Sequence, residues 1–349
     1  MIYLVSNDSN LVTRYQRISV EESLQMLEKQ NELQYDSETN GRDAHLCELL
    51  CVQFGYGHGQ IQIVVDCTTV DVTLYKDILE SKLLIGHNLK FDLQFLYNYK
   101  IIPKHIWDTM IIEQLLHLGY NNKYFHYSLK DVANRYLGID IDKSIRGEII
   151  WRGLDDDVIK YAAGDVTYLE NIKDEEYQAC VSTKCLTGAK LENAFVPVIA
   201  YLEWCGIKLD VDKWKIRMQK NKEMLDKYAQ KLTDFVIKYG DPRFAEPTLF
   251  GPMCFINWNS SEQVIPFLKA LGFNTTVVDK KTHKTKESAE SKNLKKQRGI
   301  NDEFLEIYSE YSETFKDLST YGQQYIDSIN PKTGRIHTTF WQLGADTGY

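Results

Sequence analysis

The chain has 349 residues, 43% of them hydrophobic and 26% charged, with a formal net charge of −8. That length accommodates two or three domains, the profile is that of an ordinary globular protein, and the charge does not suggest a generally basic nucleic-acid binder without excluding one, because local charge decides binding more than the sum does. Seven cysteines with no CxxC pair argue against a disulfide framework or a zinc site, and no apolar run reaches 18 residues, so the expectation is a soluble cytoplasmic protein with reduced thiols, in a host's cytoplasm if the source is viral.

In chain order, residues 18–31 carry a helical pattern with Leu24 and Leu27 apolar. A short apolar run then enters Tyr35-Asp36-Ser37-Glu38-Thr39. Side chains alternate along a strand, so Asp36 and Glu38 project from one face. Two like charges there repel unless a cation lies between them, and a hard divalent ion held by oxygen is the simplest candidate. Taken alone, the stretch is more often a polar strand end entering the Asn40-Gly41 turn. Leu46 to Phe54 and Ile61 to Val65 read as strands joined by the glycine-rich turn 55–59, giving an antiparallel meander.

A helix is expected over 71–80, then a buried strand at Leu83-Leu84-Ile85 ending at Gly86. The next helix has Phe91, Phe95 and Leu96 apolar and Asp92 in its first turn, where a carboxylate also simply favours the helix dipole. After Pro103, Trp107-Asp108-Thr109 leads into a helix to about Leu118, and Ser128 caps another to Leu137. One helix is expected from Asp155 to about Glu176, with an acidic first turn. On it Tyr161 and Asp165, at i and i+4, share a face beside the stripe Val158, Ala162, Val166 and Leu169. As a lone pair they are more often surface than site.

Residues 181–190 lose periodicity, so a boundary is placed there, giving domains 1–182 and 183–349. Helices follow at 191–205, 211–239, 261–271 and 301–328, and 240–260 reads as irregular with Pro242, Pro247 and Pro252. Residues 279–298 hold seven lysines and one arginine against three acids, a block of net charge +5 that is either a solvated surface or a phosphate contact. Strands followed by mixed strand and helix give an α/β layer structure.

The Asp-x-Glu strand, the Asp at a strand-to-helix junction and the later Tyr-x-x-x-Asp helix occur in a fixed order. They do so with the words His87-Asn88-x-x-x-Asp92, Asp108-Thr109-Met110, Asp142-Lys143-Ser144 and Tyr161-Ala162-Ala163-x-Asp165-Val166-x-x-Leu169. Together they resemble the DEDDy class of 3′–5′ exonucleases. The resemblance implies an RNase H-like mixed-sheet domain and two divalent ions, Mg2+ with Mn2+ as a substitute, about 3.5–4 Å apart. It implies that Asp36 bridges both ions, that Glu38 and Asp165 hold the one activating water, that Tyr161 orients that water, and that Asp92 reaches the second ion through water. Asn88 is expected near the nucleic acid, His87 to shape the turn, and Asp108 to support or cap. Gly147-Glu148-Ile149-Ile150 before Trp151 departs from the Ser-Asp-Trp usual in related nucleases.

Beyond the boundary, Ile256-Asn257-Trp258-Asn259-Ser260-Ser261-Glu262-Gln263-Val264, Lys316-x-x-Ser319-Thr320-Tyr321, Gly334 to Phe340 and Thr347-Gly348 resemble the thumb and palm entry of DNA polymerase I-type, family A enzymes. A mainly α-helical thumb is implied, gripping a primer–template duplex with Lys280, Lys281, Lys284, Lys286, Lys295, Lys296 and Arg298 near its phosphates. In that family the palm carboxylates and the fingers helix lie further on. The expected function is therefore proofreading 3′–5′ exonuclease activity in DNA replication. Synthesis is expected only with a second polypeptide, or a longer product, carrying palm and fingers. The expected substrates are a single-stranded 3′ end and the duplex behind it. The alternatives are a free-standing RNase D- or Werner-type exonuclease, which the thumb-like half disfavours, and a non-catalytic primer–template clamp, which the presence of all five site residues disfavours.

Overall fold

The computed structural model describes residues 1–119, 125–141, 148–279 and 283–345, which form two compact units, one of residues 1–207 and 330–349 and one of 208–329. Asp142, Lys143, Ser144 and Gly147 of the sequence motifs, Lys280 and Lys281 of the basic block, and Thr347-Gly348 lie outside the described residues.

The first unit is built on a seven-stranded sheet: β1 (Ile2–Val5), β2 (Gln16–Arg17), β3 (Glu32–Thr39), β4 (Leu49–Tyr56), β5 (Ile61–Asp66), β6 (Leu83–Gly86) and β7 (His105–Asp108), in the order β2-β1-β5-β4-β3-β6-β7. The expected meander is its centre, with β3, β4 and β5 antiparallel, while β1 joins β5 and β6 and β7 extend from β3 in parallel. Nine helices are assigned to this unit among the described residues: α1 (Val20–Glu28), α2 (Lys76–Ser81), α3 (Leu89–Asn98), α4 (Thr109–Leu116), α5 (Leu129–Leu137), α6 (Ile149–Arg152), α7 (Asp156–Asp165), α8 (Leu169–Ser182) and α9 (Leu186–Cys205).

Strand alternation sorts the core into two layers. Leu33, Tyr35, Val52, Phe54, Ile63 and Val65 pack with Leu93 and Leu96 of α3 on one face. Cys51 and Val64, each one residue out of step, pack with Leu4 against Val158, Ile159, Ala162 and Ala163 of α7 on the other. All seven cysteines are free thiols. Among the described residues no helix is long and apolar enough to cross a membrane.

Three expectations are corrected by packing. The helix expected from Asp155 to about Glu176 is two helices, α7 and α8, broken at 166–168. There the Glu170 N–H is taken by the Gln34 side chain of β3, and Gly59 of the β4–β5 turn lies against the Thr167 carbonyl. The boundary expected near residue 182 differs from the observed division, because α9 packs on α3 and β7 and belongs to the first unit. Residues 240–260 are not wholly irregular: β8 (Ala245–Thr248) and β9 (Gly251–Cys254) form an antiparallel hairpin.

The second unit pairs two long helices, α10 (Val211–Tyr239) and, after the short α11 (Ser261–Ala270) and α12 (Ser291–Leu294), α13 (Asp302–Tyr321). They run antiparallel, with Arg217 on Asp317 and Tyr228 on Glu310. Leu232, Val236, Trp258, Phe267 and Phe304 fill the space between them and α11. A second small hairpin, β10 (Thr276–Val278) with β11 (Thr285–Glu287), carries part of the basic block.

Candidate metal centre

Along β3, Tyr35 and Ser37 are buried on the α3 side, whereas Asp36 and Glu38 are half-buried and face α7. They sit opposite Gln53 and Cys51 of β4, and the ladder shifts register between Glu38 and Thr39, which ends regular pairing beside the site. α7 starts at Asp155, whose carboxylate accepts from the N–H groups of Asp157 and Val158. Its apolar stripe against β4 and β5 fixes the helix's rotation, and the small side chains of Ala162 and Ala163 let it come close. Asp165 is thereby brought to β3. One carboxylate oxygen from each of Asp36, Glu38 and Asp165 lies within 4.8 Å of the others. Three converging carboxylates are an all-oxygen donor set, the chemistry that suits a hard divalent cation.

Tyr161 stands one turn before Asp165 on the same helix and within electrostatic reach of its carboxylate. Burial first, then the charges of Asp165 and Glu38, hold the phenol proton well above the ordinary tyrosine range. Tyr161 is therefore a hydrogen-bond donor at neutral pH and not a base.

Asp92 lies outside the close trio. It belongs to the opposite layer, where its carboxylate accepts the hydroxyl hydrogen of Ser37. Burial pushes the Asp92 carboxyl up to about 7, assisted by the charges of Asp108 and Glu38 and opposed by the Ser37 hydrogen bond. All five residues line one cleft of about 1770 Å3.

The start of α3 is held from outside. Asn88 occupies the left-handed region, φ 64°, and gives the helix no side-chain cap. Asp108 takes over: its carboxylate accepts from the N–H groups of Asn88 and Leu89 and also of Met110 and Ile111, capping α3 and α4 together. Burial pushes its carboxyl up to about 6 against the pull of these four donors. His87 bonds the Thr109 hydroxyl and the Tyr127 carbonyl, so it braces the turn. Asn88 lines the cleft.

Sequence reasoning missed a second cluster along this cleft. Glu203, buried on α9, accepts from Lys90 Nζ at 2.8 Å, from Gln94 Nε2 at 2.9 Å and from the Phe340 N–H at 2.5 Å. The available signal was a carboxylate on an apolar stripe, since Val196, Ala200 and Glu203 are all buried at i, i+4 and i+7. The basic block is a surface in which Lys286 pairs with Asp279 and Lys295 with Glu313, so part of its charge is neutralised locally; Lys284, Lys296 and Arg298 lie on the same stretch.

Residues 12–175 match the family model of 3′–5′ exonucleases, and residues 248–349 match that of DNA polymerase family A. The chain is 29% identical over 241 residues to DNA polymerase I of Aquifex aeolicus, covering 63% of this chain and 39% of that protein. It is 26% identical over 347 residues to DNA polymerase I of Borreliella burgdorferi, covering 95% of this chain and 35% of that protein. It therefore spans well under half the length of these relatives. Among solved structures, the POL domain of Pol1 from M. smegmatis, in complex with DNA primer-template and dNTP, has the same fold over 93% of this chain and 51% of that one, with a TM-score of 0.68 at 17% identity.

Proposed function

We propose that this chain, in which residues 12–175 match the family model of 3′–5′ exonucleases and 248–349 that of DNA polymerase family A, removes nucleotides from DNA 3′ ends at the Asp36–Glu38–Asp165 centre, as the proofreading part of a family A polymerase. The observation that carries this reading is the convergence of three carboxylates from one strand and one later helix, with Tyr161 one turn before the third on the same helix.

Asp36, Glu38 and Asp165 would hold the divalent ions, and Asp92, set back against Ser37, would act through water. When bound, Mg2+ lowers the pKa of a water and offsets charge on the phosphate and the leaving oxygen. The chain's own groups supply the rest. Tyr161 keeps its proton and donates it in one hydrogen bond to orient the attacking water beside Asp165. Asp108 fixes the start of α3 and with it the position of Asp92. The cleft admits an unpaired strand, whose backbone and bases can be held without reading sequence.

The test is release of mononucleotides from single-stranded DNA with Mg2+, with EDTA as the blank. Asp36→Ala and Asp165→Ala should each abolish release while circular dichroism and Tm stay near wild type. Full activity in Asp36→Ala overturns the assignment. A matched RNA oligonucleotide separates this reading from an RNase D-type activity: equal or faster RNA digestion favours the latter.

A further inference from the structure

We propose that Cys180 and Cys185 are a redox modification site, a thiol pair that a hydroperoxide converts to a reversible disulfide at the turn between α8 and α9. α8 ends at Ser182, Thr183 caps it, and Lys184 follows in the left-handed region, φ 61°. The chain then doubles back. The Lys184 N–H donates to the Val181 carbonyl at 3.2 Å and the Cys185 N–H to the Cys180 carbonyl at 3.0 Å. These 5→2 and 6→1 bonds define a Schellman turn, a motif in which the third residue before the cap and the second after it bring their side chains into contact. Both of those residues are cysteines here.

The backbone makes the pair bridgeable. With 3.0 Å between the Cys180 oxygen and the Cys185 nitrogen, standard bond lengths keep the two Cα atoms within about 7 Å, and disulfides span about 4.4–6.8 Å. Both side chains pack into one apolar cluster, Cys180 fully buried and Cys185 partly so. Their reactivities differ. Burial, then the neighbouring Cys185 thiol, pushes the Cys180 thiol up to about 12, so it keeps its proton. Cys185 is the more open of the two, and Thr183 Oγ1 lies 3.2 Å from its sulfur. That hydroxyl spends its proton on the Ala179 carbonyl, so it accepts from the Cys185 S–H. Oxidation therefore begins at Cys185. Its sulfur attacks the O–O bond of the hydroperoxide, giving a sulfenic acid and releasing an alcohol, or water from hydrogen peroxide. The Cys180 sulfur then attacks the Cys185 sulfur, and the departing hydroxide takes the Cys180 proton and leaves as water. Two electrons pass from the sulfurs to the peroxide, and a dithiol returns them. The product staples the turn from which α9, the carrier of Glu203, departs.

The test treats the whole chain with stoichiometric hydrogen peroxide at neutral pH, blocks remaining thiols with iodoacetamide, and reads a tryptic digest by non-reducing mass spectrometry. Trypsin cuts after Lys173, Lys184 and Lys190, so the bridge joins peptides 174–184 and 185–190. That linked pair should be the most abundant disulfide, should separate with dithiothreitol, and should be lost in Cys185→Ser. It should also form faster in the folded protein than in the chain unfolded by urea, because the turn and not mere closeness in sequence brings the sulfurs together. Equal rates in the two states overturn the proposal. So does Cys185 recovered as sulfinic acid beside an alkylated Cys180, or both cysteines recovered alkylated.

Discussion

The Ser37 hydroxyl donates to the Asp92 carboxylate from the face of β3 opposite to Asp36 and Glu38. One short strand thus addresses both layers of the first unit: its even-numbered carboxylates meet α7, and the serine between them reaches α3. The position of Asp92 is set through the same backbone that positions Asp36 and Glu38. Ser37→Ala should leave a buried carboxyl without its hydroxyl donor and destabilise the chain by about 1–3 kcal/mol. It should also slow mononucleotide release by about 10–100-fold, as loss of a supporting hydrogen bond does at metal sites. Denaturant midpoints and single-strand digestion read the two effects, and wild-type values in both would detach Ser37 from the site.

Tyr161→Phe removes a hydroxyl and little else, because the ring keeps its place on α7. A fall in kcat of about 10–100-fold with KM nearly unchanged is expected, since the hydroxyl orients groups and does not hold the strand. An unchanged kcat would take Tyr161 out of the mechanism.

Glu176 is wholly buried on α8, where Trp107 Nε1 donates to its carboxyl at 2.7 Å. Burial, then the charges of Glu113 and Asp108, raise its pKa well above the ordinary value. The unfolded chain's Glu176 ionises near the reference value of about 4.3 while the folded one keeps its proton. Its contribution to stability is therefore whole below that pH and is lost as pH rises. Glu176→Gln keeps an acceptor for Trp107 and has no proton to lose. Its Tm relative to wild type should climb between about pH 4 and about pH 8, and a flat or falling difference would contradict the sign.

Gly59 has φ +76°, and a Cβ there would stand 2.0 Å from the Thr167 carbonyl oxygen. Gly59→Ala should cost about 2–4 kcal/mol, combining backbone strain with overpacking. Gly57, at φ +64° in the same turn, would bring its Cβ only into ordinary contact with Gln60 Cβ, at 3.9 Å. Gly57→Ala should cost only the backbone part, about 1–2 kcal/mol. Equal losses in the two variants would mean that the contact with Thr167 is unimportant.

The order of the motifs, by its resemblance to an exonuclease class, joined the residues of the candidate centre; their faces were legible because they follow local periods, two along β3 and four along α7 for Tyr161 and Asp165. The meander was legible for the same reason. What escaped depends on partners distant in sequence. Val166 and Leu169 continue the helical stripe of α7, and only Gly59 and Gln34, on another part of the sheet, show why the helix breaks between them. The β8–β9 hairpin was hidden because Pro247 faces Pro252 across it, and proline normally demotes a strand. Glu203 made no sense on an apolar stripe until its acceptor role toward Phe340, far along the chain, was visible.

Ile207 and Ile336 exchange both backbone hydrogen bonds, at 2.8 and 2.9 Å. The chain therefore leaves the first unit and re-enters it at a single bridge, and everything between is an excursion from one doorway. Closing a longer loop costs only logarithmically more, so the excursion is free to lengthen or shorten without disturbing the sheet. The same connectivity imposes an order on synthesis. The wall of the cleft that carries Phe340 and Trp341 cannot be laid down until the whole second unit has been synthesised, so the first unit is begun before the second and completed only after it.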